Sequence, residues 1–184
     1  MSTPPDSLTW LPALEHPVLL ATPTHRALAR WADADPGAVR QVLVAEVDPA
    51  LSDTAVLAEA LDLDLDLGAN CVVVSGKREG VERVAALVVR ASTRADINGA
   101  VKRRLDVRKA SFLPMDRATN ESGMEHGGIT PVGLPDSWTL LADARTVRDG
   151  PVLLGSGVRR SKLWMPAEVF ATLPGLQVVD DLAR

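Results

Sequence analysis

The chain contains no tyrosine, and aromatic residues make up only 3% of its 184 residues. Hydrophobic residues nevertheless make up 46%, so a core must be built from Val, Leu, Ala and Ile side chains. A domain near this length buries roughly 70% of the surface of its unfolded chain, which is enough for stability without cross-links. The sequence therefore predicts a single globular domain with an aliphatic core.

Cysteine occurs once, at Cys71, which excludes a disulfide within the chain and favours a reducing compartment. No apolar run reaches the roughly 18 residues of a membrane span, and the first residues lack the basic and apolar segments of a signal peptide. The net charge of −4 argues against a general coating by polyanions, although a local basic face is allowed. We expect a cytoplasmic protein without membrane contact, either a monomer or a homodimer.

Several possible chemical motifs fail on spacing. Asp62, Asp64 and Asp66 resemble the start of a calcium loop, but Gly68 comes one position late and Val73 occupies the place of the required Glu. The three histidines and Cys71 lack the spacing of zinc ligands. The segment 155–157 is not a Gly-x-Ser-x-Gly nucleophile elbow, and the segment 76–78 is not a phosphate loop. No metal and no cofactor are predicted.

Hydrophobic periodicity and turn residues predict an α/β fold of the α+β type. Short strand pairs interspersed with helices favour a mixed, largely antiparallel, barrel-like sheet with flanking helices. Strands are predicted at 39–47, 71–74, 84–89, 109–112, 138–142, 152–154, 162–165 and 176–179, and helices at 24–31, 53–61, 96–105, 115–123 and 166–173. Thr24 is predicted to cap the first helix. Residues 1–37 form a predicted N-terminal extension packed on the core domain, residues 38–184.

The most distinctive passage is the loop from Met124 to Pro135. Gly127 and Gly128 allow positive φ and leave backbone N–H groups uncovered, while Pro131 and Pro135 stiffen the chain around Gly133. A stiff loop with bare N–H groups can hold a carbonyl or a ribose at close range. A simple turn between a helix and a strand is the alternative interpretation.

Basic residues form two clusters in the sequence. One comprises Lys102, Arg103 and Arg104, and the other comprises Arg159, Arg160 and Lys162. Such clusters contact phosphates in proteins that bind nucleic acids. They are equally typical of solvated helix and turn faces, so these six residues are candidates for contact with an RNA backbone.

The glycine–proline loop resembles the G-G-x-x-P-x-G signature of the YbaK/EbsC family. These proteins are aminoacyl-tRNA deacylases related to the editing insertion domain of bacterial prolyl-tRNA synthetases. Four further segments resemble family motifs: 54–61 its T-x-x-x-A-x-x-L helix, 70–73 its K-x-L-V strand, 108–111 its R-x-A-S strand and 154–157 its late glycine turn. The resemblance covers about residues 39–179 and leaves the first 37 outside.

The resemblance implies a barrel-like core with flanking helices and a trans-editing hydrolase, which cleaves the ester of a mischarged aminoacyl-tRNA. The implied partners are the acceptor end of such a tRNA and an aminoacyl-tRNA synthetase. Backbone N–H groups near Gly127 and Gly128 would stabilise the oxyanion in a substrate-assisted reaction. Asn70, which stands where the family has a strand lysine, would anchor the ribose or the carbonyl. The implied substrate-binding residues are Ile129, Thr130, Pro131, Gly133, Gly155, Ser156 and Gly157.

Two alternative functions remain open at the sequence level. Because Asn70 carries no charge, the chain could be a catalytically weakened member that binds tRNA or a protein. It could also hydrolyse or bind a small ester or nucleotide unrelated to tRNA. Hydrolysis of misacylated tRNA distinguishes the trans-editing hydrolase from these two alternatives.

Overall fold

The computed structural model describes residues 3–184. Within this range the chain forms nine strands and seven α-helices. The strands β1 to β9 are Leu11–Pro12, Leu43–Glu46, Ala69–Arg78, Val81–Arg90, Ala110–Phe112, Thr139–Asp143, Val152–Gly155, Ser161–Met165 and Leu176–Val179. The helices α1 to α7 are Thr22–Ala34, Pro36–Val39, Thr54–Ala60, Lys102–Leu105, Met115–Ser122, Arg145–Arg148 and Ala167–Phe170. No helix in residues 3–184 is long and apolar enough to cross a membrane.

The strands form two sheets. One has the order β1-β2-β8-β7 and is antiparallel throughout, and the other has the order β5-β3-β4-β6-β9, with parallel pairs only at β4–β6 and β6–β9. A single parallel bridge between Gly68 and Leu153 connects β7 to the start of β3. The predicted mixed, largely antiparallel α/β fold is confirmed. The curled sheet stays open, however, and does not close into a barrel, because β1 and β9 are edge strands.

Apolar side chains form a main core between the inner faces of the two sheets. Val44 and Leu163 of one sheet meet Val73 and Val88 of the other there. A second cluster covers the outer face of the five-stranded sheet beneath α4. A third covers the outer face of the four-stranded sheet, where α3 packs Leu57 on Leu153 and Trp164. Each sheet is thus buried on both faces.

The N-terminal segment contributes to the main core. In this segment β1 pairs with β2, and α1 buries Leu28 and Trp31 among the side chains of the main core. The backbone N–H of Ala21 donates to the carbonyl oxygen of Ser156 at 3.2 Å. The segment therefore supports the turn between β7 and β8 directly.

Three local predictions differ from the structure. Thr24 lies inside α1 rather than at its cap, because the helix begins at Thr22 and Pro23 occupies its first turn. The predicted strand 39–47 begins only at Leu43, because the Asp35 carboxylate accepts a hydrogen bond from the N–H of Ala38 and starts α2. The strand predicted at 71–74 continues to Arg78 in β3, since the hairpin turn is made by two residues with positive φ, Glu79 and Gly80.

Candidate functional site

A cavity of about 360 Å³ lies where the start of α3, the first residues of β3, the glycine loop and the β7–β8 pair meet. Its walls combine polar and apolar groups from all four parts. It is lined by Ser52, Asp53, Thr54, Ala69, Asn70, Cys71, Val72, Met115, His126, Gly127, Ile129, Gly155 and Lys162. Four of the predicted catalytic and substrate-binding residues, Asn70, Gly127, Ile129 and Gly155, are brought together here.

Lys162, Gly155 and Asn70 form a row across three neighbouring strands. Gly155 of β7 pairs with Lys162 of β8. Asn70 of β3 lies two residues beyond the parallel bridge between Gly68 and Leu153 and lines the same cavity as Gly155 and Lys162. Because side chains alternate along a strand, Lys162 shares the outer sheet face with Trp164. The glycine loop packs directly over the central glycine, since a β-carbon on Gly155 would collide with the carbonyl oxygens of Gly128 and Ile129.

Lys162 does not lie on the surface with the arginines that precede it. Its side chain is only 3% exposed, and its ammonium donates to the carbonyl oxygen of Ser52 at 2.6 Å. Burial lowers the pKa of Lys162 from 10.5 to about 8, and the carboxylate of Asp53 opposes this effect. A lysine held inside a cavity with a lowered pKa is typical of a functional site.

The glycine loop is clamped onto the β7–β8 turn. The N–H of Gly157 donates to the carbonyl oxygen of Gly128 at 2.7 Å, and the N–H of Glu125 donates to the oxygen of Gly157 at 2.9 Å. Gly127 has a φ of +81° and passes close to the Ser52 hydroxyl. This arrangement requires glycine at both positions of the loop, since a β-carbon on Gly128 would overlap the backbone of Val158.

The N–H groups of the loop differ in their availability. The N–H of Gly128 donates to the carbonyl oxygen of Glu125 at 2.9 Å, so it is already used within the loop. The N–H groups of Gly127 and Ile129 donate to no other described residue. These two groups, rather than that of Gly128, are available to a bound oxygen atom.

The other predicted substrate-binding residues lie outside this cavity. Pro131 and Gly133 line a separate cavity of about 460 Å³ between α1 and the 131–138 loop. Thr130 is fully buried. The hydroxyl of Ser156 is hydrogen-bonded to that of Ser161 at 2.7 Å, and a side chain on Gly157 would collide with Ala21 and Thr24. In the structure these residues hold the loop and the β7–β8 turn in place.

The two basic clusters occupy different places. Arg159 does not line the cavity but adjoins it, because its guanidinium approaches Gly127 and its backbone N–H donates to the carboxylate of Glu125 at 2.7 Å. The exposed Arg160 follows it in the same turn. The three basic residues of α4 do not line the cavity, and Arg103 forms an ion pair with Asp181 at 3.1 Å.

The thiol of Cys71 and the carboxylate of Asp53, which also line the cavity, offer little for nucleophilic chemistry. Burial raises the pKa of the Cys71 thiol to about 12, so the thiol stays protonated near neutral pH. The Asp53 carboxylate accepts hydrogen bonds from the N–H groups of Ala55 and Val56, which caps α3. Among the described residues, no group of three or more His, Cys, Asp and Glu side chains is arranged to hold a metal ion.

Sequence reasoning missed the contribution of α3 and assigned Lys162 to the surface. The helix cap at Asp53 was visible in the sequence, but its position beside the glycine loop depends on tertiary packing. The sequence did contain a signal that Lys162 is buried. It is the charged residue in the otherwise neutral strand Ser161–Met165, whose five residues are all buried.

Comparison with known proteins agrees with the fold. The model of the aminoacyl-tRNA editing domain family matches residues 48–173. The chain belongs to this family, and the resemblance inferred from the sequence is thereby confirmed. Among curated protein sequences, none matches the chain.

Solved structures show the same fold at low sequence identity. The hypothetical protein APE2540 superposes with a TM-score of 0.71 and 19% identity, over 86% of this chain and 99% of its own. A candidate trans-editing enzyme for prolyl tRNA synthetase superposes with a TM-score of 0.66 and 19% identity, over 84% of this chain and 95% of its own. At this identity the likeness concerns the fold alone.

Proposed function

We propose that the protein is a trans-editing deacylase, which hydrolyses the ester between a wrong amino acid and the terminal adenosine of a tRNA. The observation that carries this proposal is the cavity shared by Asn70, Gly127, Ile129 and Gly155 in a chain of the aminoacyl-tRNA editing family. Its volume of about 360 Å³ is near the lower end of ligand pockets. It therefore suits an aminoacyl group and its ribose better than a longer part of the tRNA.

The free N–H groups of Gly127 and Ile129 bind the developing oxyanion in this proposal. They belong to a loop that is clamped onto the β7–β8 turn, so they need no reorganisation when charge develops. Asn70 also lines the cavity, where its amide can bind a ribose hydroxyl. An aminoacyl ester is already activated, so positioning of this kind supplies a large part of the rate enhancement.

The nucleophile is a water molecule activated by the substrate itself. The cavity holds no free thiolate, because the pKa of Cys71 is raised to about 12, and the Asp53 carboxylate is occupied as a helix cap. Water adds to the ester carbon, and the intermediate then releases the ribose oxygen, which takes up a proton. The amino acid leaves as a carboxylate, and the second proton of the water goes to solvent.

A deacylation assay with a full set of misacylated tRNAs tests the proposal directly. Micromolar enzyme should release one or a few amino acids much faster than buffer alone, and correctly charged tRNAs are the control. Absence of turnover with every misacylated tRNA would contradict the deacylase function. Salt-dependent tRNA binding without hydrolysis would instead favour the catalytically weakened binding module.

A further inference from the structure

We propose that Lys162 is a catalytic residue of this cavity and that its ammonium group binds the ester carbonyl oxygen as the tetrahedral intermediate forms. The inference rests on the proposed deacylase function and extends it to a residue on β8. In this inference Lys162 is a third donor to the oxygen that the N–H groups of Gly127 and Ile129 also bind. It comes from the outer face of the four-stranded sheet and not from the loop.

The first argument is the reach of the side chain. Neighbouring strands are about 4.8 Å apart, so the α-carbons of Lys162 and Asn70 are roughly 10 Å apart across Gly155. The glycine loop packs directly on Gly155, the residue between them, since a β-carbon there would collide with the loop backbone. Lys162 and Asn70 nevertheless line one cavity together with this loop, so the amine of Lys162 belongs to the same site.

The second argument is that Lys162 is incompletely bonded. An ammonium group has three donors, and the described residues supply one acceptor, the carbonyl oxygen of Ser52 at 2.6 Å. No carboxylate among residues 3–184 forms an ion pair with it. The Asp53 carboxylate attracts the ammonium without forming an ion pair with it. A buried cation that is only partly compensated is costly, so a ligand that brings an oxygen acceptor to Nζ is favoured.

The third argument concerns which part of the substrate meets Lys162. The α-ammonium of an aminoacyl group is repelled by a second cation, whereas the carbonyl oxygen gains negative charge as water adds to the ester carbon. Lys162 keeps its protons throughout, and the negative charge disappears when the bond to the ribose oxygen breaks. The tRNA phosphates are excluded from this contact, because Lys162 is buried while Arg159 and Arg160 are exposed.

Substitution of Lys162 gives the first test. Lys162→Met keeps a long side chain without charge, and we expect single-turnover deacylation to fall by about 100- to 1,000-fold, with tRNA affinity changed less than about twofold because the phosphate contacts remain. Lys109→Met, at an exposed lysine, is the matched control and should retain the wild-type rate. In the double variant Asn70→Lys/Lys162→Met, the amine returns to the cavity from β3, and at least part of the lost rate should be restored.

A measurement on the unmutated protein keeps the test independent of folding defects. The chain has only four lysines, and Lys77, Lys102 and Lys109 are exposed, so the Cε signals of ¹³C-labelled lysine can be assigned by substitution. Addition of a 3′-amide analogue of aminoacyl-adenosine, carrying the amino acid released fastest, should shift the Lys162 signal and leave the other three unchanged.

The outcomes separate the two proposals. A wild-type protein that hydrolyses no misacylated tRNA contradicts the deacylase function, and the role of Lys162 with it. An active wild-type protein whose rate survives Lys162→Met contradicts the role of Lys162 alone, as does an unshifted Lys162 signal at saturating analogue. A lost rate, a partial restoration by the double variant and a shifted signal together support it.

Discussion

Gly155 and Gly128 are in such close backbone contact that a β-carbon on Gly155 would overlap the carbonyl oxygen of Gly128 and lie 2.8 Å from that of Ile129. We therefore predict that Gly155→Ala pushes the loop away from β7. Overpacking of this kind typically costs about 1–3 kcal/mol. Guanidinium unfolding should report this loss of stability, and the deacylation rate should fall as well, because the N–H groups of Gly127 and Ile129 move out of position.

Gly37 provides a control for this substitution. It lies in α2, and a β-carbon there would meet only the Asp35 carboxylate at an ordinary 3.4 Å. Gly37→Ala should therefore leave activity intact and change stability by less than about 1 kcal/mol, with the sign favouring alanine in a helix. Equal stability and activity of the Gly155→Ala and Gly37→Ala proteins would show that the contact between the loop and β7 is unimportant.

Local patterns in the sequence were enough to predict the elements whose signals are short-range. The strand Leu176–Val179 and the helix that follows the Asp53 cap were predicted because alternation and capping act within a few residues. The glycine–proline loop was recognised in the same way. The start of β2 at Leu43 was missed. The segment 39–47 is rich in β-branched residues, and this pattern hid the cap that Asp35 provides for the four-residue helix α2.

The contents of the cavity depended on long-range pairing that no local pattern encodes. The sequence places Lys162 next to Arg159 and Arg160, so a surface position was predicted. Only the register of β8 on β7 shows that its side chain lies in the cavity. Ser156 was predicted to bind substrate as part of a glycine turn, yet its hydroxyl is hydrogen-bonded to that of Ser161. Likewise, the N–H of Gly128 is occupied because the chain folds back to Glu125.

Ile129 should set the size of the amino acid that the cavity accepts. It lines the cavity and packs against the main core, so Ile129→Ala enlarges the pocket beside Gly127. We expect kcat/KM to shift in favour of tRNAs carrying larger amino acids. A difference of a few methylene groups typically changes such ratios by about 10- to 200-fold.

Measurement of kcat/KM over the misacylated set tests the role of Ile129, with Ile129→Val as the conservative control. The ratio between a large and a small amino acid is the quantity to compare, because a general loss of stability would lower both values alike. An unchanged ratio in Ile129→Ala would remove Ile129 from the specificity-determining residues.

Arg159 and Arg160 should contribute more to tRNA binding than the basic residues of α4. Their turn adjoins the glycine loop at the cavity, where the acceptor end must arrive in the proposed function. Each phosphate contact that is removed should lower the slope of log K against log salt by about 1. We therefore expect Arg159→Ala/Arg160→Ala to weaken binding and flatten its salt dependence.

The matched control for this pair is Arg103→Ala/Arg104→Ala on α4, which removes the same charge outside the cavity. Titration of tRNA at several salt concentrations should show a near-normal slope for the α4 variant. If the two variants lose affinity equally, the tRNA does not approach through the β7–β8 turn.

Lys162 should also give the protein a characteristic dependence of stability on pH. Its pKa in the folded protein is about 8, against an ordinary value of 10.5, so between these values the unfolded chain binds more protons than the folded one. Stability from this group therefore increases as pH rises from 8 to 10.5 and is lost as pH falls through this range. Relative to Lys162→Met, the wild-type protein should gain about 2–3 kcal/mol over this interval.

Guanidinium unfolding of both proteins at a series of pH values measures this gain. Cys71 acts in the opposite direction, because burial raises its pKa to about 12 and its contribution to stability falls as the unfolded thiol ionises. Cys71 is common to both proteins, so its effect cancels in the difference, and Lys109→Met should follow the wild-type curve. Parallel curves for the wild-type and Lys162→Met proteins would show that Lys162 titrates in the folded state as it does in solvent, which would contradict the burial of its ammonium group in the cavity.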